Sequence, residues 1–285
     1  MGKLGYRSFL GKVWGVVLLS SALPAYAQTP SVPADSVVNG ASFASKQAVS
    51  PGTLVSIFGT GLATSMAHAD TIPLSTSLAG VSVTMNGVPT PLLDTIPTAT
   101  GRDYTQLNAQ VPWNVLPQGM TSGNATILVT VNGVTSQPSV VQIAGSLPGI
   151  FTLNQQGTGQ AAVQIGNSAV FAAPAGSING AQSRPAVVGD VLVMYVTGLG
   201  MVDNLPANGD IPKGKVANSI AVPRVLLGGV EAPIQFHGLS PQFVGLNQIN
   251  VSVPNGVPFG DAVPLQLDLG QGVLSSDKVT IAVGQ

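Results

Sequence analysis

Val81-Ser82-Val83-Thr84-Met85-Asn86-Gly87-Val88 alternates apolar and polar residues and then breaks at Asn-Gly. A period of two puts Val81, Val83 and Met85 on one face of a strand, and Asn-Gly supplies the two positive φ angles of a type I′ hairpin. Ile127, Val129 and Val131 repeat the pattern and close at Asn132-Gly133. Further on, Leu265, Leu267 and Leu269 alternate with Gln266 and Asp268, and Val279, Ile281 and Val283 follow. One apolar and one polar face per strand marks a sheet packed on one side. Several such strands at short intervals predict an all-β chain of immunoglobulin-like sandwiches, with no helix longer than a turn or two.

The same blocks recur. Pro51-Gly52, the run Leu54 to Ile57 and Phe58-Gly59-Thr60-Gly61-Leu62 answer Val188-Gly189-Asp190, Val191 to Met194 and Tyr195-Val196-Thr197-Gly198-Leu199. Asn86-Gly87-Val88 answers Gly228-Gly229-Val230, and Gln106-Leu107-Asn108-Ala109-Gln110-Val111-Pro112 answers Gln248-Ile249-Asn250-Val251-Ser252-Val253-Pro254. Gly87 to Gln106 and Gly229 to Gln248 are both 19 positions apart. Shared order and shared spacing predict two copies of one domain, residues 37–145 and 146–285. The second opens with a hairpin or arm over residues 146–185. Residues 28–36 are polar and proline-containing and are expected to form a flexible leader.

Composition agrees with many short strands and tight turns. The 285 residues include 35 Gly and 22 Pro, 45% are hydrophobic, and only 7% are charged, against about 25% in ordinary soluble domains. A helical bundle or coiled coil is excluded, because its surface needs Glu, Lys and Arg, and Glu231 is the only Glu. Disorder would need low hydrophobicity and high net charge. Nucleic acid is not an expected partner, since phosphate neutralisation needs clustered cations. An outer-membrane barrel wants aromatic girdles, and aromatics are only 5% here.

The N-terminus reads as a signal peptide over residues 1–27. Lys3, Arg7 and Lys12 are its basic region, Val13 to Leu23 its apolar core, and Ala25-Tyr26-Ala27 its cleavage signal, predicting a cut between Ala27 and Gln28. Pro24 interrupts the apolar run before the roughly 20 residues needed to span a bilayer. No membrane span is expected after cleavage. Removing three of the ten cations leaves seven against eleven acids, a net charge of −4. Export permits disulfides, but the chain has no cysteine, so stability must come from core burial. The expected location is secreted, periplasmic or on the cell surface.

Val38-Asn39-Gly40-Ala41-Ser42-Phe43 and the stretch Ser50 to Gly59 carry a resemblance. Gln106 to Trp113, Pro148-Gly149-Ile150-Phe151, Gly189 to Gly200 and Gly260-Asp261-Ala262-Val263-Pro264-Leu265 continue it. Over residues 37–283 the chain resembles the Solibacter-type uncharacterised C-terminal domain family, and each half resembles IPT/TIG immunoglobulin-like domains. The resemblance implies a secreted or surface-exposed bacterial β-sandwich. It implies no reaction.

Reactive constellations are sparse. There is no Gly-x-Ser-x-Gly elbow and no cysteine nucleophile. His68 falls in the polar loop Ser65 to Thr71 and is read as solvated; His237 falls at a strand end with no nucleophile named beside it. Asp190 and Asp261 follow or sit beside glycines at strand starts, where they are read as turn caps. Asp203, Asn204, Asn208 and Asp210 gather oxygens in one loop and form a weak calcium candidate, although EF-hand spacing is missing. Trp113 follows a strand, where a tryptophan either closes the end of a sandwich or stacks on a ligand. Tyr104 in Gly101 to Thr105 is the more exposed ring and the second stacking candidate.

No cofactor is expected. The leading expectation is a non-enzymatic exported module that binds or supports something in the cell envelope, its partner a protein or a polysaccharide. The alternatives are a carbohydrate-binding module or adhesin using Trp113 or Tyr104, and a secreted hydrolase.

Overall fold

A computed structural model describes residues 28–270 and 278–285. The leader expected at residues 1–27, Ala27 included, lies outside the described residues. Strands in the first half are β1 (Val37–Asn39), β2 (Leu54–Gly59), β3 (Ala67–His68), β4 (Ser77–Leu78), β5 (Val81–Met85) and β6 (Val88–Pro89), followed by β7 (Leu92–Ile96), β8 (Thr105–Gln110), β9 (Gly123–Val131), β10 (Val134–Thr135) and β11 (Ser139–Ile143). The second half has β12 (Gly149–Ile150), β13 (Gly159–Gln160), β14 (Val163–Ile165), β15 (Val170–Ala172), β16 (Gln182–Arg184) and β17 (Val191–Thr197). It ends with β18 (Arg224–Leu227), β19 (Val230–Ala232), β20 (Ile234–Leu239), β21 (Asn247–Ser252), β22 (Gly260–Asp268) and β23 (Val279–Val283). Among the described residues there is no helix, and hence none long and apolar enough to cross a membrane.

These strands form four sheets. In the first half β1-β2-β8-β7-β3 faces a sheet built on β10-β9-β5-β4, with β11 and β6 on its margins. In the second, β16-β15-β14-β17-β21-β20, with β12 on β17, faces β13-β23-β22-β18-β19. Each pair of sheets encloses its own apolar core, so the chain is two tandem immunoglobulin-like sandwiches. The alternating residues do what a period of two dictates. Val81, Val83 and Met85 are at most 1% exposed, and they pack with Ile127 and Val129 from β9 and with Ile57 and Leu107 from β2 and β8.

Turn chemistry also follows the sequence. Asn86-Gly87 has φ of 50° and 77°, Asn132-Gly133 has 48° and 84°, and Gly228-Gly229 has 56° and 87°. Two successive positive φ angles are what a type I′ turn requires, and each turn leads into a return strand of two or three residues.

Two segments differ from expectation. Within residues 28–36, expected to form a flexible leader, Ser31, Val32 and Ser36 contact the first sandwich. Ser31 and Thr60 exchange backbone hydrogen bonds of 2.9 and 3.0 Å, Phe58 N donates to Ser36 O, and Val32 enters the first core. A polar composition concealed this, because a segment held by backbone groups needs few apolar side chains. Residues 146–185, expected to form a hairpin or arm, supply β12 to β16 to both sheets of the second sandwich; β14 and β15 pair antiparallel, and β13 pairs in parallel with β23.

The halves are joined by contacts rather than by a bare linker. Leu54 N donates to Thr197 Oγ1 at 2.8 Å, and Thr197 Oγ1 donates to Gly245 O at 2.9 Å. Asn39 Nδ2 donates to Thr197 O at 3.1 Å, and Leu74 N to Gly209 O at 2.8 Å. A small third apolar cluster combines Trp113 with Val202, Ala217 and Leu239.

Candidate functional site

The two histidines end up in different settings. β3 pairs with β7, which places His68 opposite Asp94, and His68 Nδ1 lies 2.6 Å from Asp94 Oδ1. The loop read around His68 is therefore a short strand, although its side chain is 70% exposed as expected of a solvated one. His237 Nδ1 lies 2.8 Å from Ser219 Oγ, a partner the sequence did not reveal. Ser219 is 4% exposed and its hydroxyl donates to Ala221 O at 2.9 Å. A hydroxyl so enclosed and already donating is a brace between loop and strand, not a presented nucleophile.

The four calcium candidates each have protein partners, and Asp203 Oδ1 accepts from Asn204 N at 2.7 Å. Asp203 receives Asn218 through its backbone N–H and its Nδ2, at 2.8 and 2.9 Å, and through these bonds its carboxyl is held below its ordinary pKa. Asn204 donates Nδ2 to Val216 O at 2.7 Å. Asn208 accepts from Trp113 N at 2.8 Å and donates to Asn114 Oδ1 at 2.9 Å. Asp210 pairs with Lys213 Nζ at 2.6 Å; burial pushes its carboxyl up, and the Lys213 and Ile211 N–H bonds outweigh it. Gly209 N, in the same loop, donates to Gln110 Oε1 at 2.7 Å. The loop thus fastens the second half to the first. Among the described residues no three His, Asp or Glu side chains gather as a metal site.

Trp113 is 7% exposed and closes over Gly52, where an added Cβ would lie 2.0 Å from the indole. It fills the junction rather than only the end of its own sandwich. A cleft of about 690 Å³ runs past it between Met120 and Leu205.

Tyr104 has a different position. The outer face of β2, β8 and β7 carries Ser56, Phe58, Gln106, Asn108 and Asp94, and Tyr104 stands at its end. Loop residues Phe151, Thr152, Gln155 and Gln156 of the second half wall this face, leaving a groove of about 800 Å³. Within it Ser56 Oγ and Gln106 Nε2 each donate to Asn108 Oδ1 at 2.9 Å, and Asn108 Nδ2 donates to Asp94 Oδ2 at 2.7 Å. Tyr104 is 42% exposed, meets Phe58 edge to face at 5.3 Å, and lies under the Arg102 guanidinium at 5.0 Å. The wall is braced: Thr152 Oγ1 donates to Asn154 Oδ1 at 2.8 Å and accepts from Gly157 N at 3.0 Å. Tyr104 was legible as a candidate because it sits in a polar run. Its companions were not, since only strand pairing brings residues 56, 94, 106 and 108 together.

No protein-family model matches the chain. No curated protein matches it. Among solved structures it is distantly similar to domains 5–6 of the S-layer protein SbsC, at 11% identity over 89% of this chain and 98% of that chain, with a TM-score of 0.24. A tandem from titin is similar at 12% identity over 90% of this chain and 64% of that chain, with a TM-score of 0.20. An endo-fucoidan hydrolase of glycoside hydrolase family 107 is similar at 12% identity over 84% of this chain and 42% of that chain, with a TM-score of 0.14.

Proposed function

We propose that the protein is an exported, non-enzymatic binding module of the cell envelope or exterior. The observation that carries this reading is the groove over β2, β8 and β7, because its floor and its wall come from different halves and the two halves are locked together. A braced concave surface is suited to binding. Export is supported by the leader motif at residues 1–27, and the non-enzymatic role by the enclosed Ser219 hydroxyl, which already donates to Ala221 O. The block order that reads as duplication supports the same reading.

Cell fractionation and sedimentation with isolated envelopes test the reading. Residues 28–285 are expected to co-sediment saturably, and Tyr104→Ala to sediment less. Turnover of a polysaccharide or ester that is abolished by His68→Ala or His237→Ala would replace the binding reading with a hydrolase.

A further inference from the structure

We infer that the groove takes a neutral glycan, an inference that rests on its being the binding site. Four features of the lining select this chemistry. First, Gln106 and Asn108 place side-chain amides in one row, braced from below by the buried Ser56 hydroxyl, and amides supply donors and acceptors together, as the hydroxyl groups of a sugar require. Gln106 Nε2 is bonded to Ser56 Oγ at 3.3 Å and to Asn108 Oδ1, but its Oε1 has no partner among the described residues.

Second, an aromatic ring stands at the end of that row. Tyr104 is fixed by Phe58 and Arg102 and still exposes 42% of its surface, with no hydrogen bond to its hydroxyl among the described residues. A fixed ring with an apolar body and a free polar tip contributes contact area at little entropic cost. Third, Asp94 is the only charged side chain in the lining, and it already accepts from Asn108 and lies against His68. An anionic chain would meet this carboxylate among the lining groups, while the Arg102 guanidinium is engaged over the Tyr104 ring.

Fourth, the site lies on the face of three interior strands. Backbone groups of β2, β8 and β7 are spent on one another, so a peptide cannot add as a further strand there. Recognition must run through side chains. The volume of about 800 Å³ falls within the roughly 300–1,000 Å³ of small-ligand clefts, which suits a short run of sugar rings.

The test is affinity electrophoresis and calorimetry of residues 28–285 with dextran, laminarin, xylan and galactomannan, and with heparin as the anionic control. Saturable binding to at least one neutral glycan is expected, weakened tenfold or more by Tyr104→Ala and by Gln106→Ala. Gln248→Ala, at the matching position of the second half, should leave it unchanged. Gln156→Ala, on the exposed wall loop, gives an independent reading should a sheet substitution disturb folding, and thermal melts report on that. Absence of binding to all four neutral glycans, binding to heparin alone, or binding indifferent to these variants overturns the inference. If glycans fail while envelopes still sediment the protein in a Tyr104-dependent way, the binding module stands and its ligand is not a neutral glycan. If envelopes fail as well, the module reading falls too.

Discussion

β8 and β21 carry the same Gln-x-Asn, and in each the glutamine Nε2 donates to the asparagine Oδ1 at 2.9 Å. Their cross-strand neighbours differ. Gln106 lies opposite Phe58, and Asn108 lies between Ser56 and Asp94. Gln248 lies opposite Tyr195, and Asn250 lies between Val193 and Phe236. The first face is therefore polar beside its amides, while the second is apolar, with Val193 4% exposed and the Tyr195 hydroxyl committed to Gln164 at 3.2 Å. One local motif serves two surfaces. Which surface it serves is set by strands that are distant in sequence.

The turn before the first long strand extends the comparison. In the first half Gly52 adopts φ of 79° directly beneath the Trp113 ring; at the matching Gly189, φ is 90° and nothing lies within 4 Å of an added Cβ. Gly52→Ala is expected to destabilise by about 3 kcal/mol, from overpacking plus the left-handed backbone. Gly189→Ala is expected to cost only about 1 kcal/mol, the backbone part alone. Equal denaturation midpoints for the two variants would show that Trp113 does not lock the junction.

A second contrast is between Thr197 and Thr60. Thr197 is fully buried and bridges Leu54 N to Gly245 O through one hydroxyl. Thr60 is exposed and holds Ser31 through its backbone. Thr197→Val leaves a buried N–H and a carbonyl unpaired and is expected to cost about 2 kcal/mol. Thr60→Val should fall within about 0.5 kcal/mol of the parent. Urea melts separate them, and a neutral Thr197→Val would mean that this crossing bond does not hold the halves together.

The smallest effect concerns how the two turns are capped. Ser50 N donates to Thr53 Oγ1 at 3.1 Å, and Val187 N donates to Asp190 Oδ2 at 2.8 Å. A neutral hydroxyl does in one half what a carboxylate does in the other. Arg184 donates to both Asp190 oxygens, at 2.8 and 3.0 Å, and this bonding holds the Asp190 carboxyl below its ordinary value of 3.8. The pKa is depressed on folding, so its stabilisation is complete above about 3.9 and is lost as pH falls through the folded pKa. Asp190→Asn should cost about 1 kcal/mol at neutral pH, since Arg184 is solvent-facing. Asp190→Thr should make the parent's loss of stability below about pH 4 shallower; an unchanged acid limb would remove Asp190 from that account.

Much of the fold was legible because its signals are local. Alternation in β5, β9 and β22, and Asn-Gly or Gly-Gly at three hairpins, are decided within a few residues by pleat and φ. Asp190 as a turn cap was legible for the same reason. The candidate site was legible only through Tyr104. The loop from Asp203 to Asp210 shows the limit most clearly: its side chains suggested a cation, while the fold engages Asn208 with Trp113 N and Asn114 Oδ1 and Asp203 with Asn218, because loop side chains bond whichever groups the fold brings near.

By itself, the sequence determined that this chain is all-β, built of short strands and tight turns, since those features depend on neighbours along the chain. Only the tertiary structure decided that Trp113 is spent on the junction, that His68 meets Asp94, and that Ser56, Asp94, Gln106 and Asn108 share one face beneath a wall from the other half. Residues 56 and 151 can form one groove only after each sandwich has closed and the two have docked, and no local pattern records a contact of that length.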